Sequence, residues 1–416
     1  MPHAPAAHNE AMRPLTIVAD SNIASLDEFF NASTLGQDNK QLVNIISAAG
    51  RAINAQLLAE LQPDVLLIRS VTQVGEALLA NNNSVQFVGS ATIGTDHVDQ
   101  AYLAARNITF ANAAGCSKHS VAQYVLSAIL TLRPQYWQQS PPVTLVTLGI
   151  IGLGNIGSTL AEYARDLGWQ VLGYDPLLPA SNINNASFEQ VLSQSNVISL
   201  HVPLTDKKHA TNPNGSDYPT RHLIDKEALA AMPADTMLIN SARGPVINAD
   251  DLQADIALTG RQVVLDVFEH EPEIAESLLS KLAIATAHIA GYTLEGKLRG
   301  TQMVYDALCE KLSVTPVQTM HQLLPLNMFL WSELKAHPDR LVKFYDIMAD
   351  DAALRDKVTD GQIHGADFDQ LRRDYHLRRE WQSQKLVIFK SQTFVKVSWS
   401  YTLKHHFKTH FLNCSK

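Results

Sequence analysis

Short apolar segments alternate with amphipathic stretches over most of the chain. Apolar runs of three to six residues bounded by turn-forming residues predict strands buried on both faces, as in a parallel sheet covered by helices. Up to residue 138 they predict four strands: Leu15–Ala19, Val65–Ile68, Val85–Val88 and Ile108–Phe110. The stretch Pro134–Pro142, with prolines, aromatics and glutamines, then indicates a break between two structural units.

A second alternating series follows this break. It predicts a helix over Ile156–Leu167 and strands at Thr147–Ile151, Val171–Tyr174, Val197–Leu200, Met237–Ile239, Val263–Leu265 and Ala283–Thr286. Consecutive βαβ units in one series are typical of an open, doubly wound domain of roughly 150 residues. We therefore expect an α/β protein with two Rossmann-like, doubly wound parallel sheets, the second spanning residues 139–291.

The pattern changes again after Gly291. It is helical as far as Leu312, and residues 316–390 predict a small α+β domain with two helices and an arginine-rich segment, Leu371–Trp381. We expect residues 1–12, rich in Ala, His and Pro, to be disordered, and residues 391–416 to form a basic, solvated tail.

The composition argues against several classes of function. The formal net charge is −8 and the pI is about 6.0, which argues against a protein that binds nucleic acid by neutralising phosphates. No apolar run approaches the roughly 20 residues of a membrane span, so no membrane association is expected. Three widely separated cysteines, an odd number, favour a reducing, cytoplasmic setting. The histidines are scattered and predict no metal site.

The glycine pattern Gly152-x-Gly154-x-x-Gly157 follows a predicted strand and opens a predicted helix, with Asn155 and Ile156 between its last two glycines. In a dinucleotide-binding turn the first glycine allows a tight turn, the second lets a pyrophosphate approach, and the third lets helix and strand pack closely. Asp175 ends the next strand, about 20 residues further on, where a carboxylate binds ribose hydroxyls and repels a 2′-phosphate. The sequence therefore predicts NAD rather than NADP.

Polar residues also stand at later strand ends. Arg243 and Asp266 follow two predicted strands, His288 follows a third, and Glu271 lies between them. Taken singly, Arg243 is expected in a surface ion pair, Glu271 at a helix start and His288 in the core. Together, downstream of a dinucleotide turn, they predict an acid/base site whose guanidinium can bind a carboxylate.

Several motifs in order resemble the D-isomer-specific 2-hydroxyacid dehydrogenases. They are Gly89–Asp99, the glycine turn, Asn240-x-x-Arg243-Gly244, Asp266–Pro272 and His288, and the resemblance covers roughly residues 13–315. It implies that residues 13–138 with 292–315 form a flavodoxin-like substrate-binding domain. It also implies a homodimer.

The resemblance implies a role for each matched residue. Arg243 would hold the substrate carboxylate, His288 would remove the hydroxyl proton, and Glu271 would orient His288. Substrate contacts would come from Ser70, Thr92 and Tyr292. NAD contacts would come from Gly152, Gly154, Asn155, Ile156, Gly157, Asp175, Val202, Ser241, Ala242, Asp266 and Gly291.

Three further segments, the last of them beyond the family core, imply a narrower subgroup whose substrate is a four-carbon 2-hydroxy acid with a terminal phosphate. They are Ile68–Thr72, His288–Lys297 and the segment Phe368–Trp381, which resembles an extra dimerisation domain. Arg69 is the first candidate to bind the phosphate, and the Leu371–Arg379 cluster, otherwise a solvated helix face, is the second. The alternatives are a phosphoglycerate or hydroxypyruvate dehydrogenase and, more distantly, an NAD-sensing corepressor on the same scaffold.

Overall fold

A computed structural model describes residues 13–36, 42–137, 146–208 and 215–382. The segments 1–12 and 391–416, predicted to be disordered and a basic tail, lie outside the described residues. So do residues 138–142 of the predicted break. Pro134–Trp137, at its start, forms a 3-10 turn whose Trp137 is buried.

The first sheet has five parallel strands in the order β2-β1-β3-β4-β5. Its strands are β1 (Leu15–Asp20), β2 (Val43–Ala48), β3 (Val65–Ile68), β4 (Phe87–Ser90) and β5 (Thr109–Asn112). The helices of this part are α1 (Leu26–Phe29), α2 (Ala32–Leu35), α3 (Ala55–Leu61), α4 (Glu76–Leu79), α5 (Gln100–Ala105) and α6 (Lys118–Leu132), with a 3-10 turn at Gly50–Ala52. This strand order is flavodoxin-like, and separate apolar clusters cover the two faces.

This sheet has one strand that the pattern missed and two strands whose bounds differ from the predicted ones at both ends. The pattern missed β2, in which Asn44 and Ser47 interrupt the apolar residues. The strand lies at the sheet edge and is only partly buried, so it lacks the continuous apolar run of a central strand. The strand predicted at Val85–Val88 lies at Phe87–Ser90, in register with Val65–Ile68 of β3. The strand predicted at Ile108–Phe110 lies at Thr109–Asn112.

The second sheet confirms the other doubly wound unit. Its six parallel strands are ordered β12-β10-β9-β8-β6-β7. The strands of this region are β6 (Thr147–Ile151), β7 (Gln170–Tyr174), β8 (Val197–Leu200), β9 (Met237–Asn240), β10 (Val263–Leu265), β11 (Ile274–Ala275), which lies outside the sheet, and β12 (Ile284–Ala285). The helices are α7 (Asn155–Asp166), α8 (Phe188–Gln194), α9 (Lys226–Ala230), α10 (Ala249–Thr259) and α11 (Glu276–Leu279), with a 3-10 turn at Gly244–Val246.

Two helices connect the units. The helix α12 (Leu294–Leu312) returns to the first sheet, where Leu298, Tyr305 and Leu308 join its apolar cluster. By contrast, α6 follows the first sheet in the chain but places Val121–Leu130 in the apolar cluster of the second. The predicted domain limits, which assign α6 to the first unit, remain a prediction.

The C-terminal part is built from more and shorter helices than the two predicted. They are α13 (Met320–Leu323), α14 (Trp331–Ala336), a 3-10 turn (Pro338–Arg340), α15 (Leu341–Phe344), α16 (Ile347–Arg355) and α17 (Gly365–Arg373). Pro325 and Pro338 separate the first three α-helices, since proline cannot continue a helix interior. The strand β13 (Gln362–Ile363) pairs antiparallel with β11, and Trp331 and Trp381 stack 5.6 Å apart within the cluster of the second sheet.

Candidate active site

Three adjacent strands of the second sheet bring two predicted catalytic residues and a predicted NAD contact to one edge. Arg243 follows β9, Asp266 follows β10, and His288 follows β12, and these strands are neighbours in the order β12-β10-β9. Because all of them are parallel, their carboxyl ends meet at the edge where open α/β sheets bind ligands. Because of this strand order, residues as far as 45 positions apart in the sequence lie in one site.

The His288 ring is held by a carboxylate. Its Nδ1 lies 2.8 Å from Oε1 of Glu271, and both side chains are about 30% exposed. Burial raises the pKa of Glu271, but the charge of His288, hydrogen bonds from His288 and the Phe268 N–H, and the charge of Arg372 outweigh it, so the pKa is lowered overall. Glu271 is therefore an anion that accepts the Nδ1 proton and leaves Nε2 free to take one.

The backbone around His288 is unusual and is fixed by Asp266. His288 has a φ of +55°, a left-handed conformation that costs energy for a residue other than glycine. Asp266 Oδ1 accepts hydrogen bonds from Ile289 N at 2.8 Å and Thr286 Oγ1 at 2.6 Å, and Oδ2 accepts one from Ala290 N at 3.0 Å. Burial raises the pKa of Asp266 despite the charge of His288 and these bonds. The predicted NAD contact therefore also anchors the loop that carries His288.

Arg243 crosses from the second sheet to the loop after β4. Its Nε and Nη2 lie 3.1 and 2.9 Å from Oδ2 of Asp96, and its Nη1 donates to the Ala242 carbonyl at 2.8 Å. The Asp96 side chain is 49% exposed, so this is the surface ion pair that an isolated arginine predicts. The guanidinium also lines the cavity beside His288, so the ion pair and the ligand-facing position coexist.

A cavity of about 550 Å³ joins these groups to the other predicted contacts. Arg243, Glu271 and His288 line it together with Arg69, Ser70, Thr92 and Tyr292. Eight of the predicted NAD contacts line it as well: Gly154, Asn155, Ile156, Val202, Ser241, Ala242, Asp266 and Gly291. The structure thus brings catalytic, substrate and cofactor candidates into one space.

Three predicted NAD residues lie outside the cavity wall, around the glycine turn. Gly152 has a φ of +92°, and a Cβ there would approach the His201 carbonyl to 2.8 Å. A Cβ on Gly157 would collide with the Gly152 carbonyl oxygen, whereas one on Gly154 would meet nothing within 4 Å. Asp175 Oδ2 accepts from Leu153 N at 3.0 Å, inside the same turn. Each glycine occupies the kind of position that a dinucleotide-binding turn requires, so the residues present fit NAD.

Comparison with known proteins gives the family. A model of the NAD-binding domain of D-isomer-specific 2-hydroxyacid dehydrogenases matches residues 131–290, and one described only as a domain of unknown function matches 333–397. The erythronate-4-phosphate dehydrogenase of Psychrobacter arcticus is 76% identical over 379 residues, which are 89% of this chain and 100% of that protein. That of Acinetobacter baumannii is 45% identical over 370 residues, 88% of this chain and 98% of that protein.

The chain belongs to the erythronate-4-phosphate dehydrogenase family. As a member it is an NAD-dependent dehydrogenase of the D-isomer-specific 2-hydroxyacid class. The D-lactate dehydrogenase of Aquifex aeolicus, solved with NAD and lactic acid, shares its fold with a TM-score of 0.56 and 24% identity, over 71% of this chain and 95% of that one.

Sequence reasoning missed two residues of this site, Asp96 and Lys297, and it named Arg372 only within the Leu371–Arg379 cluster. Asp96 pairs with Arg243 although it lies in the other sheet's loop. Lys297 lines the cavity one turn into α12, and Arg372 reaches it from α17. Arg372 also corrects the interpretation of the Leu371–Arg379 cluster as a solvated face, since its side chain is 17% exposed and Arg378 is buried. The only sequence signal for Lys297 was its place in the His288–Lys297 segment, which also contains Tyr292.

Two classes of site are not seen in the described part of the chain. Within it, no group of three or more His, Cys, Asp or Glu side chains is placed to hold a metal ion. None of its helices combines the length and apolar character that a bilayer span requires.

Proposed function

We propose that this protein catalyses the NAD-dependent oxidation of 4-phospho-D-erythronate to 3-hydroxy-2-oxo-4-phosphooxybutanoate, a step of pyridoxal 5′-phosphate biosynthesis. The observation that carries the proposal is the Glu271–His288 pair, which shares one cavity with Arg243 and with a group of basic side chains. The names of the relatives at 76% and 45% identity support the choice of substrate.

The roles of the three residues follow from their partners. Arg243 binds the substrate carboxylate and the C2 oxygen, because a planar guanidinium matches a carboxylate with two parallel hydrogen bonds. His288 Nε2 removes the C2 hydroxyl proton, since Nδ1 is held by Glu271. Glu271 stabilises the imidazolium that results, and such acid/base assistance contributes about 10² to 10⁴ in rate.

The glycine turn and its surroundings hold the cofactor in this proposal. When bound, NAD accepts the hydride that leaves C2. The N-terminus of α7 at Asn155 and the open backbone of Gly154 would receive the pyrophosphate. Asp175 would accept hydrogen bonds from the adenosine ribose, near Val202, while Ser241, Ala242, Asp266 and Gly291 would line the nicotinamide side.

We also propose a cytoplasmic homodimer in which residues 316–390 form the dimerisation domain. The described thiols, Cys116 and Cys309, are buried and free, which suits a reducing compartment. Sedimentation of the purified protein at several concentrations tests the dimer. A single species of monomer mass at micromolar concentration would contradict it.

A substrate panel tests the reaction. NADH formation is followed at 340 nm with 4-phospho-D-erythronate and with 3-phosphoglycerate, each with and without 2-keto acids as alternative oxidants. Hydroxypyruvate is tested in the reverse direction, by NADH consumption. We expect the highest kcat/KM with 4-phospho-D-erythronate. Equal values for 3-phosphoglycerate would refute the narrow assignment, and His288→Ala with unchanged turnover would remove His288 from the mechanism.

A further inference from the structure

The loop that carries His288 is bound by two distant parts of the chain. Asp266, directly after β10, accepts hydrogen bonds from the N–H groups of Ile289 and Ala290 at 2.8 and 3.0 Å. The carbonyl groups of the same two residues accept hydrogen bonds from the Arg378 guanidinium, that of Ile289 at 3.0 Å from Nη1. Arg378 lies in the C-terminal segment that matches the family model of unknown function. The second sheet therefore binds the N–H groups of the loop, and the C-terminal segment binds its carbonyls.

The terminal nitrogens of Arg378 keep no donor for a ligand. Besides the Ile289 carbonyl, Nη1 donates to the Tyr375 hydroxyl at 3.1 Å, and besides the Ala290 carbonyl, Nη2 donates to the Ser120 carbonyl at 3.3 Å. These four bonds use the four N–H groups that the two nitrogens carry. Arg378 is buried and lies outside the wall of the catalytic cavity, which Ala290 lines. Any effect of Arg378 on catalysis therefore passes through the loop.

Arg378 is itself held in place. Its Cζ lies 4.4 Å from the centroid of the Tyr345 ring, and the hydroxyls of Tyr345 and Tyr375 both donate to Asp350 Oδ2 at 2.8 Å. Burial lowers the pKa of Arg378, but the two tyrosines and the Asp350 carboxylate outweigh it, so the pKa is raised overall. In the main chain, the Arg378 carbonyl accepts from Leu294 N at 3.0 Å, at the start of α12. The donor of the two loop hydrogen bonds is therefore charged and fixed in position.

The backbone of the loop explains why such support matters. His288 has a φ of +55°, and a left-handed conformation of this kind persists only where the surrounding structure over-determines it. The peptide units directly after His288 are those that Asp266 and Arg378 bind. A shift of these units would turn the backbone at His288 and move its ring away from Glu271, whose Oε1 is 2.8 Å from Nδ1.

We propose that Arg378 is a positioning residue for the reaction: by binding two carbonyls of the loop, it keeps the His288 ring aligned with the C2 hydroxyl of the substrate. The inference rests on the proposed function, in which His288 is the base. Hydrogen bonds from a charged donor are stronger than neutral ones, and a misplacement of about 1 Å can cost about 100-fold in rate. The C-terminal segment thereby contributes to the chemical step, while Arg243 binds the substrate carboxylate without it.

The experiment compares three arginine variants of the C-terminal segment. Arg378→Met removes the donors, and Arg378→Lys keeps the charge but replaces the fork by a single nitrogen. Arg355→Met is the matched control, since Arg355 lies in the same segment and donates to two other carbonyls of the second unit, those of Leu279 and Leu282, at 2.7 and 3.0 Å. The melting temperature establishes that each variant is folded at the assay temperature, and calorimetry gives its affinity for NADH.

Kinetics are measured with 4-phospho-D-erythronate that carries hydrogen or deuterium at C2. We expect Arg378→Met to lower kcat about 10- to 100-fold, with KM for the acid and the dissociation constant of NADH within about threefold of the wild type. The deuterium isotope effect on kcat should be at least as large as in the wild type, because the slowed step is the one in which the C2 hydrogen leaves. Arg378→Lys should lie between the wild type and the methionine variant, and Arg355→Met should match the wild type.

A double-mutant cycle separates positioning from a merely structural role. In a His288→Ala background, Arg378→Met should lower kcat by less than about a further twofold, because no imidazole is left to align. If Arg378 only stabilised the fold, its loss and that of His288 would multiply.

Losses that multiply in the double variant, an unchanged kcat in Arg378→Met, an equal kcat loss in Arg355→Met, or an isotope effect that falls toward one would each overturn the proposal. If Arg378→Met does not fold, Arg378→Lys takes its place in the cycle, and a wild-type kcat in that variant would overturn the proposal as well.

Failure of the proposed function gives a different result. His288→Ala alone would then keep the turnover of the wild type, or the wild type would prefer 3-phosphoglycerate to 4-phospho-D-erythronate. In the second case the same variants are compared on 3-phosphoglycerate, because its C2 hydroxyl needs the same base. A kcat loss confined to the Arg378 variants, and absent from the His288→Ala background, would still support the positioning role.

Discussion

The titration of Lys297 offers a quantitative test of substrate binding under the proposed function. Its Nζ lies 4.4 Å from the centroid of the Tyr292 ring, which Arg69 and Arg372 also contact. Its pKa of about 7, against an ordinary value of 10.5, corresponds to about 5 kcal/mol of disfavoured charge in the empty site. At pH 6 roughly nine in ten empty sites therefore hold the ammonium, and at pH 8 roughly one in ten do. A bound phosphate dianion favours the charged form, so we expect substrate binding to take up a proton above pH 7.

Lys297 and the charged groups around it line a cavity of about 180 Å³ that adjoins the catalytic one. The cations are Arg51, Arg69, Arg372 and Arg373, and the acids are Asp20 and Asp369. Arg51 and Asp369 pair with each other at 2.8 Å. The substitution Lys297→Arg keeps a cation at every pH in the assay range, because an arginine in a protein does not lose its proton.

The assay measures kcat/KM for the phosphorylated substrate from pH 6 to 9 and takes the ratio of wild type to Lys297→Arg. Groups that titrate equally in both proteins cancel in this ratio. We expect the ratio to fall about tenfold per pH unit above pH 7, and to stay nearly flat for the acid that lacks the phosphate. A ratio that does not change across this range with the phosphorylated substrate would refute the reasoning, whatever the absolute rates are.

Three further predictions concern other parts of the molecule. Glu271→Gln should lower kcat by about 10²- to 10⁴-fold with little change in NADH binding, because a neutral amide does not stabilise the imidazolium of His288; kinetics and NADH fluorescence check this, and an unchanged kcat would contradict it. Asp175→Ser should raise the NADP-to-NAD ratio of kcat/KM by about tenfold or more, since a carboxylate facing a 2′-phosphate costs several kcal/mol; an unaltered ratio would remove Asp175 from the ribose site. Arg378→Met should lower the free energy of unfolding by about 1–3 kcal/mol, because the buried guanidinium donates hydrogen bonds to the Ile289 and Ala290 carbonyls and the variant removes this donor from both carbonyls. Urea unfolding followed by tryptophan fluorescence measures the change, with Arg340→Met as the exposed control.

Many of the strands could be predicted from the sequence, because a strand buried on both faces needs a run of mostly apolar residues. The central strands β3, β6, β8 and β10 are buried at every position and mostly apolar, and they form where the pattern predicted them. The edge strand β2 contains polar residues and was missed. The short C-terminal helices are held by packing against the apolar clusters of the two sheets rather than by their own periodicity, so the sequence pattern did not predict their number.

The sequence by itself determined the residue types and their order: a glycine turn with Asp175 downstream, and Arg243, Glu271 and His288 after successive strands. These signals are local, because a tight turn or a strand end needs particular residues within a few positions. Only the tertiary structure decided that Arg69, Lys297 and Arg372 surround the ring of Tyr292. Arg69 lies more than 200 residues before the other two in the chain. Contacts between distant elements depend on how sheets and helices pack, and no spacing along the chain encodes them.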